Sequence, residues 1–498
     1  MLVAWHYDHR VGATTGNGDH VDVTAALRAG KVRGTSRDGV ASFRGIPYAA
    51  APTGPLRFRP PVPVAGWDGI RDANSFGAAP PQLAPGPGAP SAWHPGDGPD
   101  CLSVNVWTPD PGTAGLPVMV WFHGGAFRHG SAGRPDFDAT VLAGAGVVVV
   151  VTFNYRIGFE GFGHIPGVPD NRGLRDQIAA LEWVRDNIDG FGGDPANVTV
   201  FGQSAGAASI ALLMTAPAAR GLFRRAIAQS IPNAYLSHAE ARRATAVLAE
   251  AAGVAATWTD LAGLPPEEIL RHQDAPLPDP TTGGSAFTPV VDDDLVAGPP
   301  WRQLRDGAGR DIDLICGFTH EEARLYTAAI PPAAIDLAAA AAALRLPGRA
   351  VTDYRTAYPS STDPELLTVM MSDALFRMPT TWVAEAHAAA GGRTWLYDLT
   401  WQGPRLGACH ILDVPLVFGN AASPLATRFL GAPPPPDFAD LSHRIRTAWT
   451  SFATTGDPGW PRFDGRSGTT RLWNVPVSDV AYPLLESRRI WPAVPPAA

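Results

Sequence analysis

The sequence predicts an α/β fold with a mainly parallel central sheet and helices on both faces. Short runs of β-branched residues alternate along the chain with longer segments of helical periodicity, an order that builds parallel sheets. Residues 147–153 are almost continuously valine, which is typical of a strand covered on both faces. Residues 202–206 place a serine between two glycines, where the pattern predicts a sharp turn from a strand into an apolar helix.

The elements follow in chain order. Residues 1–29 lack clear periodicity, so we expect a poorly ordered N-terminal extension there. We expect the ordered structure to begin near Lys31. Residues 32–44 predict a hairpin, and residues 330–358 predict helices laid over the sheet. We expect residues 30–498 to form one domain. Further strands are predicted at 102–107, 118–122, 147–153, 197–201, 226–229, 313–317, 394–399 and 470–473, and helices at 171–188, 205–214 and 238–252.

Composition narrows the class of protein. The 498 residues are 45% hydrophobic and 17% charged, with a net charge of −8, which argues against nucleic acid as a partner. Met1 to His20 has no apolar core typical of a signal peptide, and no apolar run is long enough for a membrane span. Three widely spaced cysteines fit a reducing compartment. We expect a cytoplasmic protein without a membrane partner.

The turn at Ser204 has the G-x-S-x-G spacing. Gly202 and Gly206 permit a strained reversal with no side chains beside it, which holds the serine hydroxyl at the N-terminus of a helix. Amide donors there favour developing negative charge. The motif also occurs by chance in a chain with 53 glycines, but the strand before it and the helix after it favour a nucleophile.

A nucleophilic serine needs a base, and the base needs a carboxylate that holds its tautomer. In α/β-hydrolase chains the order is serine, acid, histidine. The strand at 313–317 leads to two candidate acids, Glu321 and Glu322, and the strand at 394–399 leads to His410. His320 is the main competitor for the base.

Donors for an oxyanion are expected from the small residues after the strand at 118–122. The sequence there is His123-Gly124-Gly125-Ala126-Phe127, and small residues let a backbone approach the substrate oxygen. An ordinary glycine turn is the alternative. The amide of Ala205, which follows the serine, would supply a further donor.

The sequence resembles the type-B carboxylesterases, the family of bacterial para-nitrobenzyl esterases and cholinesterases, over nearly the whole chain from Lys31. The resemblance rests on the serine turn and on these blocks: residues 43–49 (FRGIPYA), 100–106 (DCLSVNV), 154–156 (NYR), 176–177 (DQ), 192–195 (GGDP) and 197–199 (NVT). It implies the α/β-hydrolase fold with helical insertions over the active site. It also implies a small-molecule ester as substrate, an acyl-enzyme intermediate and no metal or organic cofactor.

The resemblance further assigns roles to particular residues. Ser204 matches the nucleophile, Glu322 the acid and His410 the base, which decides between Glu321 and Glu322. Gly125, Ala126 and Ala205 match the oxyanion donors. Amide or carbamate hydrolysis by the same triad is an alternative, and a non-catalytic interaction scaffold is a third hypothesis that the intact triad disfavours.

Several positions depart from the family pattern. Pro99 stands where the family carries the glutamate partner of Arg57, whereas Arg156 and Asp176 match a second ion pair of the family. Cys101 lacks its usual bridging cysteine, so the resemblance implies a free buried thiol. Gln203 replaces a common glutamate, which weakens the case for a cationic substrate, and Asp413 stands where a glutamate is usual.

Overall fold

A computed structural model describes residues 21–86, 91–273, 286–292, 294–465 and 468–491, and the strands in these ranges form one sheet. The strands are β1 (Val21–Leu27), β2 (Gly30–Arg37), β3 (Val40–Pro47), β4 (Ile70–Asp72), β5 (Ser103–Thr108), β6 (Leu116–Phe122), β7 (Val149–Phe153), β8 (Gly193–Gln203), β9 (Arg225–Gln229), β10 (Asp313–Thr319), β11 (Thr394–Leu399), β12 (Thr470–Trp473) and β13 (Ser478–Val480).

The centre of the sheet is parallel, and the strands toward its two ends pair antiparallel, except that β4 joins β2 in parallel. The strand order is β1-β2-β3-β5-β7-β6-β8-β9-β10-β11-β12-β13, with β4 beside β2. Every pair from β7 across to β12 is parallel. Parallel neighbours need crossover connections, and the intervening segments are helical, as the sequence predicts.

The helices lie on both sides of this sheet. Alternate residues of β6 show the two faces, because Val118 and Val120 belong to one apolar core while Met119 and Trp121 belong to the other. The helices are α1 (Thr140–Ala143), α2 (Gly158–Phe162), α3 (Arg172–Asn187), α4 (Ala205–Leu213), α5 (His238–Ala251), α6 (Trp258–Gly263), α7 (Pro266–His272), α8 (Pro300–Arg305), α9 (Arg324–Thr327), α10 (Leu337–Ala343), α11 (Ala350–Ala357), α12 (Asp363–Ser372), α13 (Met378–Ala389), α14 (Asp413–Phe418), α15 (Pro424–Leu430), α16 (Phe438–Thr455) and α17 (Leu485–Ile490).

The expected start of order near Lys31 is too late in the chain. Residues 21–27 form β1, which pairs antiparallel with β2 from Val21 opposite Ser36 to Leu27 opposite Gly30. The segment escaped prediction because an edge strand exposed on one side carries little hydrophobic alternation; only Ala25 of β1 is fully buried. The remainder of the predicted extension, residues 1–20, lies outside the described residues.

The helices predicted over residues 330–358 are present as α10 and α11. Together with α12 they enclose a small apolar cluster of their own, which includes Leu337, Tyr354 and Met370. The hydroxyl of Tyr354 donates a 2.7 Å hydrogen bond to Asp373. That bond ties the cluster to the π-helical turn Asp373–Arg377 that follows α12.

Two buried ion pairs brace the part of the chain before β8. Arg156 Nε and Nη2 donate to the Asp176 carboxylate over 2.8 and 2.7 Å, as the resemblance implies. Arg57, whose usual partner is replaced by Pro99, instead donates from Nη2 to Glu160 Oε1 over 2.5 Å. Arg57 also donates to the carbonyl oxygens of Ala262 and Leu264. A carboxylate on α2 thus replaces the missing one.

Cys101 is a free and fully buried thiol, as expected. Cys316 and Cys409 are also free and buried. Burial raises the pKa of the Cys409 thiol to about 12, so this neighbour of His410 stays neutral and unreactive at physiological pH.

The replaced ion pair can be tested by Glu160→Gln. This change leaves the Arg57 guanidinium buried without a carboxylate, and we expect the free energy of unfolding to fall by about 3–5 kcal/mol. Glu486→Gln is the matched control, because its pair with Arg489 is exposed and contributes roughly 0–1 kcal/mol. Urea unfolding followed by tryptophan fluorescence measures both; equal losses would contradict the assignment.

Candidate active site

The turn at Ser204 is as tight as the motif predicts. Ser204 lies between β8 and α4 with φ +56° and ψ −123°, a conformation that costs a non-glycine residue energy. A Cβ on Gly206 would lie 2.0 Å from the carbonyl oxygen of Phe122. Glycine is therefore required for α4 to pack this closely on β6, and that packing holds Ser204 at the helix N-terminus.

Glu322 and His410 meet after the two strands that the sequence singled out. Glu322 follows β10 and His410 lies in the loop after β11. His410 Nδ1 lies 2.5 Å from Glu322 Oε2, and both side chains are buried. The other carboxylate oxygen accepts the backbone N–H of Thr319 over 2.9 Å. The carboxylate is thereby oriented from both sides.

The surroundings of His410 define its tautomer. Glu322 is an acceptor, so Nδ1 carries the proton and Nε2 presents a lone pair. Gln203 Nε2 lies 3.1 Å from His410 Nε2 and donates to that lone pair. Because Gln203 immediately precedes Ser204, this contact places the Nε2 edge of the imidazole toward the end of β8. Sequence inspection identified Gln203 as unusual but did not place it against His410.

The loop after β6 leaves backbone donors open beside Ser204. A Cβ on Gly124 would lie 3.2 Å from the Cβ of Ser204, so the two segments touch. Gly125 and Ala126 have φ of +121° and +54°. Among the described residues, no acceptor is found for the amide N–H groups of Gly125, Ala126 or Ala205. This concave group of unpaired donors suits an anionic oxygen.

The competing acid and base occupy different positions. His320 Nδ1 lies 2.8 Å from Asp398 Oδ2 at the end of β11. Glu321 pairs with Arg324 and accepts the amide of Ala408. Neither residue contacts the Glu322–His410 pair through a side-chain hydrogen bond in the described part of the chain.

An aromatic ring that the sequence did not indicate covers His410. The ring of Phe376 stacks on the imidazole with centroids 4.1 Å apart and planes at 27°. Phe376 belongs to the π-helical turn Asp373–Arg377, a type of distortion that is frequent at functional sites. Arg377 holds this turn through Asp373 (Nε to Oδ1, 2.7 Å) and through the carbonyl oxygen of His320.

Asp413 adds a second buried carboxyl group behind this site. Burial raises its pKa to about 6, and the charge of Glu322 acts in the same direction. Gln229 Nε2 donates to Asp413 Oδ2 over 2.7 Å, and the Tyr397 hydroxyl lies 3.3 Å from the same oxygen. Asp413 is therefore a neutral acid below about pH 6 and charged above it.

Fold and site together define a carboxylic ester hydrolase of the α/β-hydrolase type. Residues 20–474 match the carboxylesterase family. The chain belongs to this family.

Individual relatives are similar over almost their entire length. The para-nitrobenzyl esterase of Bacillus subtilis (strain 168) is 36% identical, covering 92% of this chain and 96% of that protein. The phenmedipham hydrolase of Pseudarthrobacter oxydans is 34% identical, covering 88% and 92%. A crystal structure of a Geobacillus stearothermophilus carboxylesterase superposes with a TM-score of 0.84 at 35% identity, covering 94% and 100%.

Across the described residues, we find no helix with both the length and the apolar character that a bilayer crossing requires.

The raised pKa of Asp413 predicts a pH-dependent stability. An unfolded aspartate titrates near pH 3.9, so between about pH 4 and 6 the folded protein keeps a proton that the unfolded chain has released. The contribution of Asp413 to the free energy of unfolding should therefore fall as pH rises through this window and then level off. Asp413→Asn lacks this titration. From pH 4 to pH 8, the free energy of unfolding of the variant should therefore rise by about 2–3 kcal/mol relative to that of the wild type.

Urea unfolding at the two pH values measures that difference. Asp311→Asn removes a carboxylate whose side chain is 96% exposed, and it should leave the pH dependence unchanged. A constant difference between Asp413→Asn and wild type over this range would show that Asp413 titrates normally.

Proposed function

We propose that this carboxylesterase works through an acyl-enzyme intermediate, with Ser204 as nucleophile, His410 as general base and Glu322 as the acid that orients it. The observation that carries the proposal is the buried Glu322–His410 pair, whose Nε2 edge contacts Gln203, the residue immediately before the strained turn at Ser204. A carboxylate that holds Nδ1–H leaves Nε2 as the only basic site of the ring. This is the protonation state that a serine needs from its base.

The acylation step follows from this geometry. His410 Nε2 takes the Ser204 proton as Oγ attacks the ester carbonyl carbon, and Glu322 stabilises the imidazolium that forms. The carbonyl oxygen becomes an oxyanion beside the open N–H groups of Gly125, Ala126 and Ala205. Each such donor contributes about 3 kcal/mol to the stabilisation of the transition state. The imidazolium then protonates the departing alcohol.

Deacylation reverses the roles. Water enters in place of the alcohol, His410 Nε2 removes its proton, and hydroxide adds to the acyl carbon. Collapse of the second tetrahedral intermediate breaks the bond to Ser204 Oγ, which recovers its proton from His410. The carboxylic acid leaves and the resting state returns.

The preferred substrate class is a small uncharged ester. Gln203 contributes no anionic charge beside His410, so a cationic alcohol group has no obvious electrostatic partner there. Carbamate hydrolysis is a second candidate, supported by the likeness to a phenmedipham hydrolase. Absence of a cofactor, a cytoplasmic location and lack of a nucleic-acid partner stay predictions of the sequence.

The mechanism predicts that Ser204→Ala lowers kcat/KM for p-nitrophenyl acetate by roughly 10⁴-fold or more. A fluorophosphonate probe should add one label per chain, on the peptide that contains Ser204, and should not label the variant. Ser451→Ala on α16 is the matched control and should keep wild-type activity. Turnover above about a tenth of wild type in Ser204→Ala would exclude Ser204 as the nucleophile.

A series of p-nitrophenyl esters from acetate to decanoate, with one aryl carbamate, separates the substrate classes. In Ser204→Ala and in Glu322→Gln, turnover of every substrate in the series should fall by roughly 10⁴-fold. Carbamate turnover faster than that of every ester would favour the second candidate.

The stacked ring predicts a role for Phe376 in positioning His410. Phe376→Ala removes the flat face against the imidazole, so we expect kcat to fall about 10- to 100-fold with little change in KM, because a displacement near 1 Å costs this much. Phe376→Tyr keeps the ring and should restore most of kcat. Phe463→Leu, a buried change away from His410, controls for lost stability; a KM effect alone would indicate substrate contact instead.

A further inference from the structure

Three metal-ligating side chains converge outside the candidate active site. His164 follows α2, Asp170 precedes α3, and His238 is the first residue of α5. One ligand atom from each lies within 4.8 Å of the others. His164 Nδ1 is 3.0 Å from Asp170 Oδ2, and His238 Nε2 is 4.0 Å from the same oxygen.

The cluster is half buried and open at one side. The side chains of His164 and Asp170 are 9% and 7% exposed, whereas that of His238 is 52% exposed. The two imidazole rings meet nearly edge-on, with centroids 4.4 Å apart. Among the described residues, the Asp170 carboxylate has no hydrogen-bond or ion-pair partner besides these two histidines. The proposed mechanism uses none of the three residues.

We propose that His164, Asp170 and His238 bind a divalent transition-metal ion of the Zn²⁺ type. Imidazole and carboxylate are ligands that Zn²⁺ takes at about 2.0–2.2 Å, which places neighbouring tetrahedral ligand atoms roughly 3.4 Å apart. The nitrogen–oxygen distances of 3.0 and 4.0 Å lie on either side of that value. Rotation of the exposed His238 ring would therefore bring its Nε2 to the distance that a tetrahedral metal site needs. Water fills the fourth position from the open side.

The chemistry of the cluster also suits a cation. The Asp170 carboxylate supplies negative charge beside the two imidazole rings, and neutral imidazole and carboxylate are the forms that ligate a metal. The nearby Arg172, which interacts electrostatically with Asp170, weakens the attraction of the site for a cation.

The ion would add a direct link between two parts of the chain that are otherwise joined through the segment around Val290. His164 and Asp170 bracket the connection between α2 and α3, and His238 belongs to α5, whose start is capped by Ser237. The first amide of α2, that of Gly158, donates to the carbonyl oxygen of Phe127. The metal would therefore stabilise the segment that supports the loop beside Ser204.

Calorimetric titration of Zn²⁺ into the full chain, purified without a polyhistidine tag and treated with chelator, tests the proposal. We expect one site per chain and a melting temperature higher by roughly 2–5 °C at saturating Zn²⁺. Co²⁺ at the same site should give the intense visible absorption of a tetrahedral complex. Both signals should be lost in His238→Ala and in His164→Ala.

Controls separate this site from other histidines. His238→Ala alters an exposed side chain, so its melting temperature in chelator should equal that of wild type. His272→Ala removes a lone histidine that contacts Glu268 over 2.9 Å and should bind Zn²⁺ normally, as should a His6, His9 and His20 triple alanine variant. No one-to-one binding in the wild type, or binding that survives in His238→Ala, would overturn the proposal.

Discussion

The packing of α4 against the end of β6 is the constraint on which the rest of the site depends. Gly206 lies so close to the Phe122 carbonyl that no side chain fits, and Ser204 accepts a strained conformation as a result. That single approach brings the serine beside Gly124 and its neighbours, whose amides stay open. This close approach therefore places a candidate nucleophile beside backbone amides without an acceptor.

Two of the buried charged groups are oriented by a partner. Glu322 is held by Thr319 and His410, and Arg57 uses a glutamate from α2 in place of the one the family pattern provides. Asp413 differs, because its hydrogen-bond partner Gln229 is neutral. Burial therefore raises the pKa of Asp413 to about 6. The site thus combines one paired carboxylate with one carboxyl that is easily protonated.

Much of the architecture could be predicted because its signals are local. The valine run of β7, the periodicity of α3 and the glycines around Ser204 each report on their own segment. The β1 strand was missed because its exposed edge gives almost no pattern. Roles for Glu322 and His410 came from the order of motifs and a family resemblance, and the structure brings the two side chains together.

The sequence by itself determined the fold class and the turn at Ser204, because hydrophobic patterns and glycine positions act over a few residues. It also determined the candidate acid and base, because their motifs follow the predicted strands in a characteristic order. Only the tertiary structure decided which distant residues meet. Gln203 and His410 are 207 positions apart, Arg57 and Glu160 are 103 apart, and Phe376 reaches His410 through a π-helical turn. Such contacts depend on how helices and strands distant in the sequence pack against one another, so no local sequence pattern predicts them.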